Sequence, residues 1–310
     1  MWHAACNYAG SIGLRRADAA PVMQNADGTS CQGRRCCGGA SQVVAEPDTA
    51  SFPVNNTAMT TMTVPELQTA AQGGDVDAQY ELALHYQKGD GVGRDLPEAV
   101  RWMRAAADKG STKALGQLGF CYATGAGVAQ DPDEALRWLR IAADRGDLDA
   151  CFNLGLFFEH GYGVAPDPVR STEYYRTAAE RGHAASCFNY ALALLEGRGT
   201  KADPAQAMDW LMKAAAQDLP EAQYTLGVLL DEGRVVDADP ELAAAWYEQA
   251  AAHGHVAAHF NLAVHLEFGS PEKRDLPKAK ELYRVAAEQG HEGALDALIR
   301  LADGEVSPKL

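Results

Sequence analysis

Four histidines in the last third of the chain come closest to a metal-binding pattern. They are His253, His255, His259 and His265. The second and third are four residues apart, a spacing that places two zinc ligands on one helix face. No Cys or carboxylate completes a set at helical spacing, and His also stands at the equivalent positions 183 and 291. The pattern therefore favours a structural role, and we expect no metal site.

Two other patterns could suggest catalysis or cofactor binding. Glycine pairs such as Gly125-Ala126-Gly127 look like phosphate-binding loops, but a dinucleotide-binding loop needs a preceding strand and a third Gly. No Ser-x-x-Lys occurs together with its partner motifs, and no acid–base pair stands apart from the repeated positions described below. We expect no catalytic residues and no cofactor.

The charge of the chain narrows the choice of partners. Its formal net charge is −15, whereas sequence-independent nucleic-acid binding needs clustered Lys and Arg. The same charge disfavours binding to an anionic membrane surface. No segment approaches the roughly 20 apolar residues of a membrane-spanning helix, and we expect no membrane insertion. We expect a cytoplasmic protein, with a periplasmic or secreted location as the alternative if the true start differs.

The composition of the chain changes near residue 63. Residues 1–62 are rich in small and polar residues and show no periodicity, so we expect them to be disordered. A second interpretation is that translation begins at Met59 or Met62. Residues 63–304 form the predicted folded domain, and residues 305–310 form a short tail.

Six units of 36 residues each follow one another without insertion between residues 75 and 290. Position 15 of every unit is Gly, position 21 is Asp, and positions 32 and 33 are Ala. Position 9 is always Gly or Ala, and position 36 is Gly except at Asp218. Half units precede and follow the array, at about 64–74 and 291–304. Such a period indicates a repeat solenoid, in which each unit packs only on its neighbours.

Within each unit the pattern predicts two antiparallel helices, A and B. Small and apolar residues share one face of helix A at positions 4, 8, 9 and 12, and one face of helix B at positions 25, 28, 29, 32 and 33. The Gly at position 15 suits the end of helix A, and the Asp at position 21 suits the N-cap of helix B. The aromatic residue usual at position 28 is predicted to fill the space between helices.

These positions resemble the Sel-one-like repeat (SLR) family of the tetratricopeptide-like superfamily. The resemblance rests on segments such as 222–227 (AQYTLG), 125–128 (GAGV) and 135–139 (ALRWL), and it covers residues 75–304. It implies an all-α fold, a right-handed α/α superhelix whose concave face is lined by the A helices. It also implies a scaffold or adaptor that binds other proteins rather than an enzyme.

The resemblance leaves two alternatives open. One alternative is an envelope-associated regulatory or structural subunit. The remote alternative is a β-lactamase-like hydrolase, because some cysteine-rich members of the family are described as β-lactamases. Secreted members can carry a disulfide between the two helices of a unit. Here Cys121, Cys151 and Cys187 all lie in A helices, so that pairing cannot form, and we expect three small buried side chains.

The concave face is the candidate binding site. The A helices supply an aromatic row at position 6, amides at position 7 and acids at positions 13 and 14, which suit a basic or amphipathic protein or peptide partner. The candidate residues are Tyr80, Phe152, Asn153, Phe188, Asn189, Tyr224, Phe260, Asn261, Glu159, Glu196 and Glu232. The alternative for the aromatic residues is that they pack between neighbouring A helices.

Overall fold

The computed structural model describes residues 62–162 and 164–302, and these ranges contain fourteen helices and no strand. The A helices are α2 (Val76–Lys88), α4 (Thr112–Thr124), α6 (Leu148–His160), α8 (Ala184–Glu196), α10 (Pro220–Glu232) and α12 (Val256–Phe268). The B helices are α3 (Leu96–Asp108), α5 (Pro132–Asp144), α7 (Pro168–Ala179), α9 (Pro204–Ala215), α11 (Pro240–Ala252) and α13 (Leu276–Glu288). The half units are α1 (Val64–Gln72) and α14 (Glu292–Ala302).

Each helix packs mainly on the next helix in the chain, which is the arrangement of a solenoid. The predicted all-α solenoid of six repeats is therefore confirmed. The predicted disordered segment, 1–62, lies outside the described residues apart from Met62, and so does the predicted tail, 305–310. None of the helices in the described ranges is long and apolar enough to cross a membrane.

The predicted helix ends are present in nearly every unit. Each position-21 Asp accepts a backbone N–H at the start of helix B, as Asp167 does from Arg170 at 3.1 Å. The position-15 Gly is left-handed in five units, for example at Gly125 (φ 75°). Gly269 is the exception, with φ −61° and ψ −179°, in the one unit where Ser270 and Pro271 replace the usual loop.

Position 36 requires a left-handed backbone to turn the chain into the next unit. Its glycines have φ between 82° and 94°. Asp218 adopts the same conformation with φ 58°, the only positive φ of a non-glycine among the described residues. The repeat geometry thus places Asp218 in a left-handed backbone conformation, which is unfavourable for residues that have a side chain.

The deepest side chains lie at position 29, whereas the sequence pattern pointed to position 28. Position-29 residues are no more than 1 % exposed, and they are Met103, Leu139, Tyr175, Leu211, Tyr247 and Tyr283. Of the position-28 residues only Trp138 is buried, at 8 %. Position 29 explains why position 9 is small, because a Cβ at Gly227 would lie 2.5 Å from the Tyr247 ring.

The loop between helices A and B rests on the preceding unit. Gly199 has φ +69°, and a Cβ there would collide with the carbonyl oxygen of Pro168, at the start of α7. A Cβ at Gly127 would likewise collide with the carbonyl oxygen of Leu96. These glycines therefore set how closely one unit approaches the next.

Candidate protein-binding surface

The position-6 aromatic rings of three units pack between their own helix B and the next unit. Phe152 lies 5.8 Å from the Tyr175 ring and 5.3 Å from the His183 ring, centroid to centroid. The ring of Tyr224 packs in the same way on the rings of Tyr247 and His255. The ring of Phe260 packs on those of Tyr283 and His291. All three remain partly exposed on the A-helix side. They therefore have a packing role and still offer part of their surface.

The two remaining aromatic residues of the row differ from these three. Phe188 is buried, with 7 % of its surface exposed, which leaves little for a partner to touch. Tyr80 is half-buried, and no His follows it, because position 1 of the next unit is Ser111. Burial, together with the nearby Glu81, Asp147 and Asp149 carboxylates, raises the pKa of Tyr80 to about 12.

The amides at position 7 are half-buried, and two of them serve the repeat itself. The side chain of Asn189 lies near the hydroxyl of Tyr175 in the preceding unit and acts to lower the pKa of that hydroxyl. Asn261 does the same for Tyr247. Asn153 follows a unit whose position 29 is Leu139, which has no hydroxyl to offer. Asn153 is therefore the amide of this set with the freest choice of partner.

The predicted acids are joined to neighbouring cations. Glu159 pairs with Arg198, whose Nε also donates to Glu196 at 2.9 Å. Glu232 accepts from Arg234 Nε at 3.1 Å. The negative charge at positions 13 and 14 is thus partly neutralised within the chain.

A partly buried polar network that the sequence analysis did not identify recurs at three junctions between units. In each one, a position-29 Tyr donates to a position-13 acid, and the acid contacts an Arg or His of the next unit. At the last junction Tyr283 donates to Glu267 at 2.8 Å, and Arg300 binds Glu267 through two nitrogens at 2.5 and 2.8 Å. The other two sets are Tyr175–Glu159–Arg198 and Tyr247–Asp231–His265.

The signal for this network is present in the sequence. Tyr occurs at position 29 only where position 13 is acidic, and His then opens the next unit. In the other three units position 13 is Gln87, Ala123 or Leu195, and position 29 is Met or Leu. Comparing positions 13 and 29 across the units would have found the three polar junctions.

The four clustered histidines take separate structural roles. His253 contacts Gln223 Oε1 at 3.1 Å, and His265 contacts Asp231 at 2.9 Å. The Nδ1 of His255 accepts the backbone N–H of Ala258 at 3.2 Å, so this ring caps α12. Within the described ranges no group of three or more His, Cys, Asp or Glu is arranged to hold a metal ion.

The capping ring of His255 makes the stability of the repeat sensitive to acid. Burial, together with the charge of His259, lowers its pKa to about 4. In the unfolded chain the His pKa is near 6.5. Between about pH 4 and pH 6.5 the unfolded chain therefore binds a proton at this His, whereas the folded chain does not. The contribution of His255 to the free energy of unfolding is therefore fully present above about pH 6.5. It falls as the pH drops towards 4, by about 1–2 kcal/mol at pH 5.

We expect His255→Ser to reduce this acid loss, because Ser111 caps α4 in the same way without titrating. The measurement is the urea unfolding free energy at pH 7.5 and pH 5.0, whose difference should shrink by about 1–2 kcal/mol. His160→Ser, at an exposed site, is the control and should leave the difference unchanged. An equal acid loss in wild type and His255→Ser would contradict the assignment.

The three cysteines of the A helices are buried free thiols, as expected. Burial raises the pKa of Cys121 to about 12, so this thiol stays protonated at neutral pH. Cys187 lies 3.6 Å from the carbonyl oxygen of Ala179 in the preceding helix. Their environment is that of small core residues.

The aromatic row is interrupted at Gly116, in the second unit. A Cβ at this position would lie 3.2 Å from Asp147 Oδ2 and 3.8 Å from the Cβ of Ala150. The other oxygen of Asp147 accepts the Ala150 N–H at 3.0 Å. Burial raises the pKa of the Asp147 carboxyl, which marks a charge partly removed from water. We call this point of the row, where Tyr80 and Phe152 flank a buried glycine with the Asp147 carboxylate against it, the Gly116 gap.

Comparison with known proteins agrees with the repeat geometry. The Sel1 repeat family model matches six consecutive segments, which are residues 76–111, 112–147, 148–183, 184–219, 220–255 and 256–291. Among curated proteins none matches the sequence.

Two solved structures share the fold. A protective antigen of uropathogenic Escherichia coli strains, displaying an SLR fold, is 29 % identical with a TM-score of 0.65. The match covers 79 % of this chain and 52 % of that one, so this chain spans about half the length of that protein. A Sel1 repeat protein from Oxalobacter formigenes is 33 % identical with a TM-score of 0.63, over 78 % of this chain and 70 % of that one.

Solenoids of this kind are commonly scaffolds for protein interaction and are typically not enzymes. Six matched repeats span most of the chain, in register with the helices, caps and turns described above. The chain belongs to the Sel1 repeat family.

Proposed function

We propose that this protein is a scaffold or adaptor that binds a partner protein through its A-helix face, centred on the Gly116 gap. The gap carries the proposal because it is the one place where the position-6 row lacks a side chain. Its borders are the half-buried rings of Tyr80 and Phe152 and the carboxylate of Asp147. A partner side chain can contact the Asp147 carboxylate here, because no aromatic ring of the row covers it.

The charge at the gap favours a basic side chain. Asp147 and Asp149 lie close enough to Tyr80 to raise its pKa, and Glu81 adds a third carboxylate. Of these three carboxylates only Asp149 contacts a basic side chain among the described residues, namely His183 Nε2 at 3.1 Å. A Lys or Arg inserted here would neutralise a half-buried carboxylate and pack on an aromatic ring. This supports a basic or amphipathic segment as the partner.

The experiment is affinity capture by the full chain, with quantitative mass spectrometry of the retained proteins. Tyr80→Ala and Gly116→Leu should each reduce retention of the main partner at least tenfold, and 0.5 M salt should release it. Phe268→Ala removes an exposed aromatic residue outside the gap and serves as the control. Equal retention by all variants, with unchanged helical circular dichroism, would refute the gap as the binding site.

A further inference from the structure

A second surface, on the B-helix side, shows a charge pattern that the repeat does not balance. A cleft of about 420 Å³ lies between α5 and α7, lined by Arg140, Arg170, Glu173, Tyr174 and Thr177. We infer that this α5–α7 cleft binds an acidic side chain of a partner protein. The inference does not depend on the Gly116 gap, which lies on the A helices.

The repeat shows which residues face each other across this cleft. Arg140 occupies position 30 of one unit, and Arg170 occupies position 24 of the next. At the junction of the fifth and sixth units these two positions hold Glu248 and Lys278, which form an ion pair at 3.4 Å. Positions 30 and 24 of adjacent units are therefore close enough for direct charge interaction.

Every other junction between complete units has a compatible pair at these positions. The pairs are Arg104 with Glu134, Arg176 with Gln206, Met212 with Leu242, and Glu248 with Lys278. Arg140 with Arg170 is the one pair of like charges. Two guanidinium groups at an ion-pairing position repel each other unless an anion lies between them. In a chain of net charge −15 such a pair points to a ligand.

The two arginines are available to an anion. Arg140 is exposed and makes no hydrogen bond, ion pair or ring contact with the residues that the structure describes. Arg170 lies 3.3 Å from Asp167 through Nε, and its guanidinium carbon stands 5.4 Å from the Phe158 ring centroid. The Arg170 side chain is 57 % exposed and lines the cleft.

Side-chain size opens the cleft at this junction. Position 28 is Tyr174 here, whereas it is Trp in four of the other units. Position 31 is Thr177, the smallest residue at that position in the second to sixth units. The Tyr174 ring is held parallel to Phe158 at a centroid distance of 5.8 Å. One wall of the cleft is therefore the Tyr174 ring, which is held in place by its stacking on Phe158.

The charge of Glu173 favours a carboxylate over a phosphate as the bound anion. Its carboxylate lines the same cleft, one helical turn from Arg170, and would repel a doubly charged phosphate more than a singly charged carboxylate. It also offers a site for a cation of the partner. The segment that fits best has Glu or Asp with Lys or Arg one helical turn away.

The test uses an alanine-based helical peptide with Glu and Lys spaced four residues apart, and the full-length protein. Peptide binding is followed by fluorescence anisotropy at 50 mM salt. We expect binding that weakens at least tenfold in Arg140→Gln and in Arg170→Gln. Arg104→Gln, at the same position one unit earlier, is the matched control and should bind like wild type. Replacing Glu by Gln in the peptide should abolish binding.

A second measurement needs no peptide. Arg140→Glu recreates the opposite-charge pair of Glu248 and Lys278, so it should raise the melting temperature at low salt while eliminating peptide binding. The inference is overturned if neither peptide binds, if the Gln peptide binds as well as the Glu peptide, or if Arg140→Glu does not stabilise. Tighter binding of a phosphoserine peptide than of the Glu peptide would overturn the carboxylate assignment.

Discussion

Replacing Glu267 by Ala should lower the free energy of unfolding by about 3–5 kcal/mol. The Glu267 side chain is 5 % exposed and accepts hydrogen bonds from both terminal nitrogens of Arg300 and from the hydroxyl of Tyr283. Its loss leaves a cation and a hydroxyl partly buried without their acceptor. Chemical denaturation at pH 7.5 measures the change. Glu281→Ala, which removes an exposed partner of Arg284, should leave the midpoint almost unchanged.

The chain itself contains the substitution that should rescue this loss. At the junction of the fourth and fifth units, the equivalent positions hold Leu195, Leu211 and Val228. The triple variant E267L/Y283L/R300V copies that junction and removes all three polar side chains at once. We expect it to be at least 2 kcal/mol more stable than Glu267→Ala, because a buried ion pair can be exchanged for packed apolar residues at little cost. A triple variant no more stable than Glu267→Ala would show that shape, not charge, controls this junction.

The second large effect is expected at Gly199, in the loop that rests on the preceding unit. Gly199→Ala places a Cβ against the backbone of Pro168 and also in a left-handed conformation. Steric overlap with backbone and the unfavourable φ together should cost about 3 kcal/mol. Because Gly199 contacts the preceding unit, the substitution should also weaken the packing of the fourth unit on the third.

Gly182 supplies the matched comparison for Gly199. It has φ +88°, but a Cβ there would have no atom within 4 Å. Gly182→Ala therefore carries the conformational cost alone, about 1–2 kcal/mol. Thermal denaturation of both variants separates the two contributions. Equal destabilisation by the two variants would mean that the loop contact moves aside and does not set the spacing of the units.

Much of the fold was predictable from the sequence because identical residues recur at identical spacing. The Gly at position 15 and the Asp at position 21 fix the helix ends, and the structure places them as expected. At position 28, Trp138 lies in the core and Trp102 and Tyr174 pack against it, but most residues at this position are only half-buried, whereas those at position 29 are fully buried. Size alone does not reveal which of two adjacent helix positions points inward.

The candidate site was harder to predict, for a physical reason. In three units the position-6 ring packs on the Tyr at position 29 and on the His that opens the next unit, so an aromatic residue there does not distinguish packing from binding. The Asn residues show the same ambiguity, since Asn189 and Asn261 serve tyrosine hydroxyls. Departures from the repeat, such as Gly116 and the Arg140–Arg170 pair, carry more information about partners than residues that conform to it.

The two kinds of junction divide the solenoid into segments of different sensitivity. In a linear array, cooperativity is transmitted only through contacts between nearest neighbours. The Leu195–Leu211–Val228 junction is formed by apolar side chains, whereas the junctions after the third, fifth and sixth units depend on carboxylates and, in one case, on a histidine. Removing the acid from one of these three junctions should therefore uncouple the array at that plane and leave the apolar junction coupled. The single sharp melting transition of the wild type would then broaden into separate steps, divided at that boundary between units.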